Sequence, residues 1–70
     1  MALSYNKLWK LLIDKNIKKL ELRDMANISN NTLAKLGKNE PVAMTVLEKI
    51  CSVLNCNIGD IVDYIPDQED

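Results

Sequence analysis

At 70 residues the chain can form one domain, and a domain this small buries only about 60% of its unfolded surface, so its elements must pack regularly. It has two cysteines and no histidine, too few ligands for a zinc centre, and its longest aliphatic run, Leu11-Leu12-Ile13, is far short of a membrane span. The net charge of −1 argues at first against a nucleic-acid partner, but residues 1–59 hold nine bases against five acids, a net of +4, while residues 60–70 hold five acids and no base.

Met1 to Lys7 lacks the basic start and long apolar run of a secretion signal, which points to the cytoplasm and to reduced thiols. Tyr5, Leu8, Trp9, Leu11 and Leu12 have the i, i+3, i+4, i+7 spacing of an amphipathic helix. That spacing predicts a first helix from about Ser4 to Lys15, broken at Asn16-Ile17, with Tyr5 and Trp9 in the core or at its edge. A second short helix is expected over Leu20 to Ala26, with Leu22, Met25 and Ala26 inward. Asn27-Ile28-Ser29 then reads as a turn, because asparagine accepts the left-handed conformation that ends a helix and serine caps the next one. A third helix runs from Asn30 to about Leu36 with Leu33 and Leu36 inside, stopped by Gly37 and followed by the loop Lys38-Asn39-Glu40-Pro41.

Val46, Leu47, Ile50, Cys51, Val53 and Leu54 carry the fourth helix. Thr45 and Glu48 have capping-box spacing and place its start at Val46, while Ala43 is the other candidate cap, with Met44 first in the helix. Asn55-Cys56 ends it. Asn57 is expected to cap a fifth helix from Ile58 to about Tyr64, with Asp60 at its positive end. Tyr64, Ile65 and Pro66 either cover the core or contribute to a dimer contact. Cys51 and Cys56 read as small core hydrophobes rather than a redox pair. No strand-like alternation stands out, so the domain of residues 1–66 is expected to be all-α with five helices, followed by an acidic tail at 67–70.

The informative stretch is residues 19–38. Leu22 and Ala26 on one helix can meet Leu33 and Leu36 on the next, with Ile28 in the corner, and this is the arrangement of a helix-turn-helix. The free side of the third helix carries Asn30, Asn31, Thr32, Lys35 and Lys38, without an acid. In the major groove asparagine pairs with adenine, lysine with the guanine edge, and the threonine methyl with thymine. Lys18, Lys19 and Arg23 form a second basic group, of which Lys19 would face phosphate.

The run from Leu20 through Leu36 resembles the repressor/Cro-type, lambda-repressor-like helix-turn-helix family, and the similarity continues through Glu40-Pro41 and Leu47–Cys51 to Ile58–Val62. The resemblance covers roughly residues 5–65 and implies a five-helix domain that regulates transcription, as a repressor, on double-stranded DNA. It places base readout at Asn30, Asn31, Thr32 and Lys35, and phosphate contacts at Lys19, Ser29, Lys38 and Asn39. A two-fold homodimer would present two such helices to one duplex. Three positions depart from the family's pattern. Asn27 stands in place of glycine, Arg23 in place of a small residue, so its stem must leave sideways, and Lys18 in place of a Ser or Thr cap. No catalytic constellation, cofactor motif or small-molecule site is legible. The low charge and acidic tail suit one other class, a protein-interaction module such as an antitoxin or adaptor on the same scaffold.

Overall fold

The computed structural model describes residues 2–66. The chain forms β1 (Ala2–Ser4), α1 (Asn6–Lys15), α2 (Lys19–Ala26), α3 (Asn30–Gly37) and α4 (Met44–Leu54), then a single 3-10 turn (Ile58–Asp60) and β2 (Asp63–Ile65). The four helices fall where the apolar spacing puts them. The fourth begins at Met44 with Ala43 as its cap, and the Thr45/Glu48 alternative is not used.

All four helices end in the same way. The non-glycine residues with positive φ are Asn16 (59°), Asn27 (54°), Asn39 (58°) and Asn55 (54°), one just beyond each helix. The residue after each asparagine returns its N–H to a carbonyl five residues back: Ile17 to Leu12 at 2.8 Å, Ile28 to Arg23 at 3.1 Å, Glu40 to Lys35 at 2.9 Å, and Cys56 to Cys51 at 3.1 Å. This is the Schellman closure, which satisfies carbonyls that a helix end otherwise leaves without partners. Asparagine serves here because its short polar side chain makes the left-handed region accessible at low cost. Gly37 does not stop the third helix as expected. It lies in the last turn of α3, no glycine has positive φ, and the reversal occurs at Asn39.

Asn39 has a second task. Its Oδ1 accepts the Tyr5 N–H at 3.0 Å, and the Tyr5 hydroxyl donates to the Glu40 carbonyl at 2.8 Å. Tyr5 is fully buried, so the start of α1 is fastened to the loop between α3 and α4 by two part-buried hydrogen bonds. Burial pushes the Tyr5 hydroxyl above its ordinary pKa, with the Val42 backbone pulling the other way. The core around it comprises Leu8, Leu12, Leu22, Ala26, Leu36, Leu47, Ile50, Leu54 and Ile61. α4 packs across α2 and meets the 3-10 turn, which also touches α1. Met25, expected inside, is 47% exposed, because Leu22 and Ala26 define the inward face of α2.

The expected fifth helix is not formed. Asp60 accepts the Asn57 N–H at 2.9 Å and closes one turn only, after which the chain extends. Val62, Tyr64 and Ile65 favour a strand, and Pro66 disfavours the helical conformation in the residue before it. The extended segment pairs antiparallel with β1, Ala2 opposite Ile65, Leu3 opposite Tyr64 and Ser4 opposite Asp63. Tyr64 and Ile65 are thus used in a two-stranded ribbon, a feature that sequence reasoning missed. Lys7 binds the Gly59 carbonyl at 3.3 Å and approaches Asp63 at 3.8 Å, tying the ribbon to α1. The acidic residues at 67–70 lie outside the described residues. Among the described residues no helix is long and apolar enough to cross a membrane.

The two neighbouring positions at the end of α3 should respond to alanine with opposite signs. A Cβ at Gly37 meets nothing within 4 Å, and helical φ there suits alanine, so Gly37→Ala should stabilise by about 0.5–1 kcal/mol. Asn39→Ala puts a Cβ residue in the left-handed region and removes the Tyr5 bond, and should cost about 1–3 kcal/mol. Urea unfolding of the two variants measures both, and a destabilising Gly37→Ala would contradict the placement of the helix end.

Candidate nucleic-acid interface

The interface is built on α2, the turn and α3. Lys18 has extended backbone before α2, and since lysine has no acceptor, the start of the helix is closed from inside: the Glu21 carboxylate accepts the Lys18 N–H at 2.9 Å. The missing Ser or Thr cap is therefore replaced by half of a capping box. α2 ends at left-handed Asn27, as the turn pattern requires, and Ile28 packs half-buried against the core. Ser29 then caps α3, its Oγ accepting the Thr32 N–H at 3.1 Å. The Ser29 and Thr32 hydroxyls also lie 2.9 Å apart and share a hydrogen bond.

α3 is held in the core by Leu36, fully buried, with Leu33 half-buried on the same helix. Its other side is open, with Asn30, Asn31, Ala34, Lys35 and Lys38 all exposed. Asn31 and Lys35 are four residues apart and so stand one above the other on the helix surface. No acidic residue occurs anywhere in α3. Exposed Ala34, which the sequence reading did not single out, leaves the middle of this face low, so that the backbone can approach a surface laid against it.

All eight expected site residues can now be placed. Asn30, Asn31, Thr32 and Lys35 share α3, Ser29 is its cap, and Lys38 and Asn39 follow its end. Lys19 is the first residue of α2, its ammonium 4.4 Å from the centre of the Trp9 ring in a cation–π contact. Several of these side chains already have partners. The Ser29 and Thr32 hydroxyls bind each other, Asn39 Oδ1 is taken by Tyr5, and Asn30 Oδ1 accepts from the Arg23 guanidinium at 2.7 Å. Among the described residues the Asn31 carboxamide and the Lys35 ammonium have no such partner.

Arg23 is the residue whose part the sequence reading did not see. Its stem leaves sideways as expected; what the sequence does not reveal is its destination, where the guanidinium reaches Asp24 Oδ1 at 3.1 and 3.0 Å as well as Asn30. The only available signal was the seven-residue offset across a turn whose geometry was still unknown. The contact fixes the orientation of the Asn30 carboxamide, turning its oxygen toward Arg23.

Two helices crossing through a short turn, the second cemented on one side and presenting an acid-free polar row on the other, define a helix-turn-helix DNA-binding domain. The match to known proteins is specific: residues 7–67 fit the family model of the Cro/C1-type HTH DNA-binding domain, and the chain belongs to that family. The solved structure of the transcriptional regulator VanUg, crystal form II, superposes with a TM-score of 0.91 at 57% sequence identity, covering 94% of this chain and 88% of that one. A curated relative, the uncharacterized HTH-type transcriptional regulator YozG of Bacillus subtilis (strain 168), is 40% identical over 45 residues, 64% of this chain. The match spans about half the length of that relative, 50%.

The Arg23 contact can be tested without DNA. Arg23→Ala should cost no more than about 1 kcal/mol, because the ion pair to Asp24 is solvent-exposed on the acid's side. It should nevertheless shift and broaden the Asn30 side-chain amide signals in NMR spectra. Unchanged Asn30 signals would show that the bond does not order the carboxamide in solution.

Proposed function

We propose that this protein regulates transcription by binding a specific operator in double-stranded DNA, with α3 laid in the major groove. The observation that carries the reading is the acid-free exposed face of α3, fixed outward by the burial of Leu36 in the core. Asn31 and Lys35, whose polar ends are free, are the principal base readers, toward adenine and guanine edges respectively. Asn30 presents its amide under the control of Arg23, and the Thr32 methyl is available to thymine. Lys19, Ser29, Lys38 and Asn39 surround this row and suit contacts to phosphate, together with the first free amides of α3. The likeness to VanUg and YozG, both named as transcriptional regulators, supports the same class.

One eight-residue helix covers a single half-site. The reading therefore includes a second copy of the chain on the same duplex, its α3 displaced by about 34 Å, one turn of DNA. Occupancy of such an operator would repress by excluding the transcription machinery.

Base and phosphate contacts give different signatures. Asn31→Ala and Lys35→Ala should each cost about 1–3 kcal/mol on the preferred operator and much less on unrelated duplexes. Lys19→Ala and Lys38→Ala should weaken all sequences alike, each lowering the slope of log affinity against log salt by about 1. Competition binding across a salt series separates the two groups. Equal losses on every sequence for Asn31→Ala and Lys35→Ala would remove base readout from α3.

A further inference from the structure

The two cysteines lie away from the α2–α3 face, and the helix-end geometry brings them together. At the close of α4, left-handed Asn55 lets Cys56 return its N–H to the Cys51 carbonyl at 3.1 Å. In this closure the side chains at those two positions meet, ordinarily as an apolar contact. At the end of α1 the equivalent pair is Leu12 and Ile17; here it is two thiols. Both are free and half-buried. Two shallow surface depressions reach them: one is lined by both cysteines with Glu48, Ser52 and Asn57, the other by Cys56 with Lys15 and Asp60.

We propose that Cys51 and Cys56 form a two-thiolate binding site for a soft cation of low coordination number, such as monovalent copper or silver. Thiolate sulfur prefers soft ions, and two ligands suffice for an ion that accepts linear coordination. Among the described residues no group of three or more histidine, cysteine or carboxylate side chains is placed to hold a metal, which disfavours zinc with its four ligands. Binding replaces one proton on each sulfur by a shared monovalent cation, releases two protons, and leaves one negative charge. Lys15, whose ammonium acts on Cys56, offsets that charge.

The surroundings of Cys56 hold its thiol protonated. Burial first, then Cys51 and Asp60, push the Cys56 thiol up to about 11. At neutral pH it therefore has little of the thiolate that attacks disulfides and peroxides. A thiophilic ion instead displaces the proton as it binds, so affinity should rise with pH.

The test is an anaerobic titration of the reduced full chain with silver ion in chloride-free buffer, followed by native mass spectrometry, thiol counting and thermal unfolding. The expected result is one silver per monomer, both thiols protected together, and a higher Tm, since binding only the folded state stabilises it. Cys51→Ala and Cys56→Ala should each weaken binding by about 100-fold or more, as a chelate reduced to one ligand does. Thiols that saturate independently at two ions per chain, an ion that joins two chains, or no binding would each overturn the proposal. The parent protein alone gives these outcomes, so the decision does not depend on how the variants fold.

Discussion

Four helices of eight to eleven residues can share one core only if each stops abruptly and sends the chain back. The left-handed asparagine beyond every helix supplies that reversal. Each such position opposes the ordinary steric preference of an L-residue by about 1–2 kcal/mol, a cost softened by the asparagine side chain and by the two backbone groups the closure satisfies. The rest of the architecture depends on where these reversals fall. Asn27 sets the crossing of α2 and α3. Asn39 starts the loop to α4 and fastens Tyr5, and with it α1, through its own side chain.

The same economy shapes the exposed side of α3 and its flanks. Ser29, Thr32, Asn30 and Asn39 satisfy one another or the scaffold through short hydrogen bonds, so the helix and its flanks are ordered before any ligand arrives. Ordering already made in the free protein is ordering that binding need not supply. Asn31 and Lys35 stand in the middle of this braced frame with their polar ends uncommitted. In the proposed complex, the frame sets the register on the duplex and the two open side chains discriminate between bases.

Much of this was legible in the residues. Apolar spacing located four helices because each has at least two apolar positions at helical intervals, and Leu22, Ala26, Ile28, Leu33 and Leu36 outlined the helix-turn-helix. The stops at Asn16 and Asn55 are legible as places where the apolar pattern ends, and only Asn27 from conformational preference. At the end of α3 the same preference was overlooked in favour of Gly37, two residues early. The C-terminal part misled for a physical reason: Ile58, Ile61 and Val62 have helical spacing, but the segment is closed after one turn and drawn into a strand by a partner some sixty residues earlier. Three-residue strands carry too little alternation to be seen, and their pairing is a long-range event. Arg23 was missed likewise, because its bond to Asn30 exists only once the turn is formed.

The central claim is that α3 reads base sequence. Selection of bound duplexes from a random DNA pool at near-physiological salt tests it most directly. The account predicts enrichment of one motif arranged as an inverted repeat, with half-sites about one helical turn apart. A protein shown to be folded that enriched no motif, while still holding DNA through charge, would contradict it.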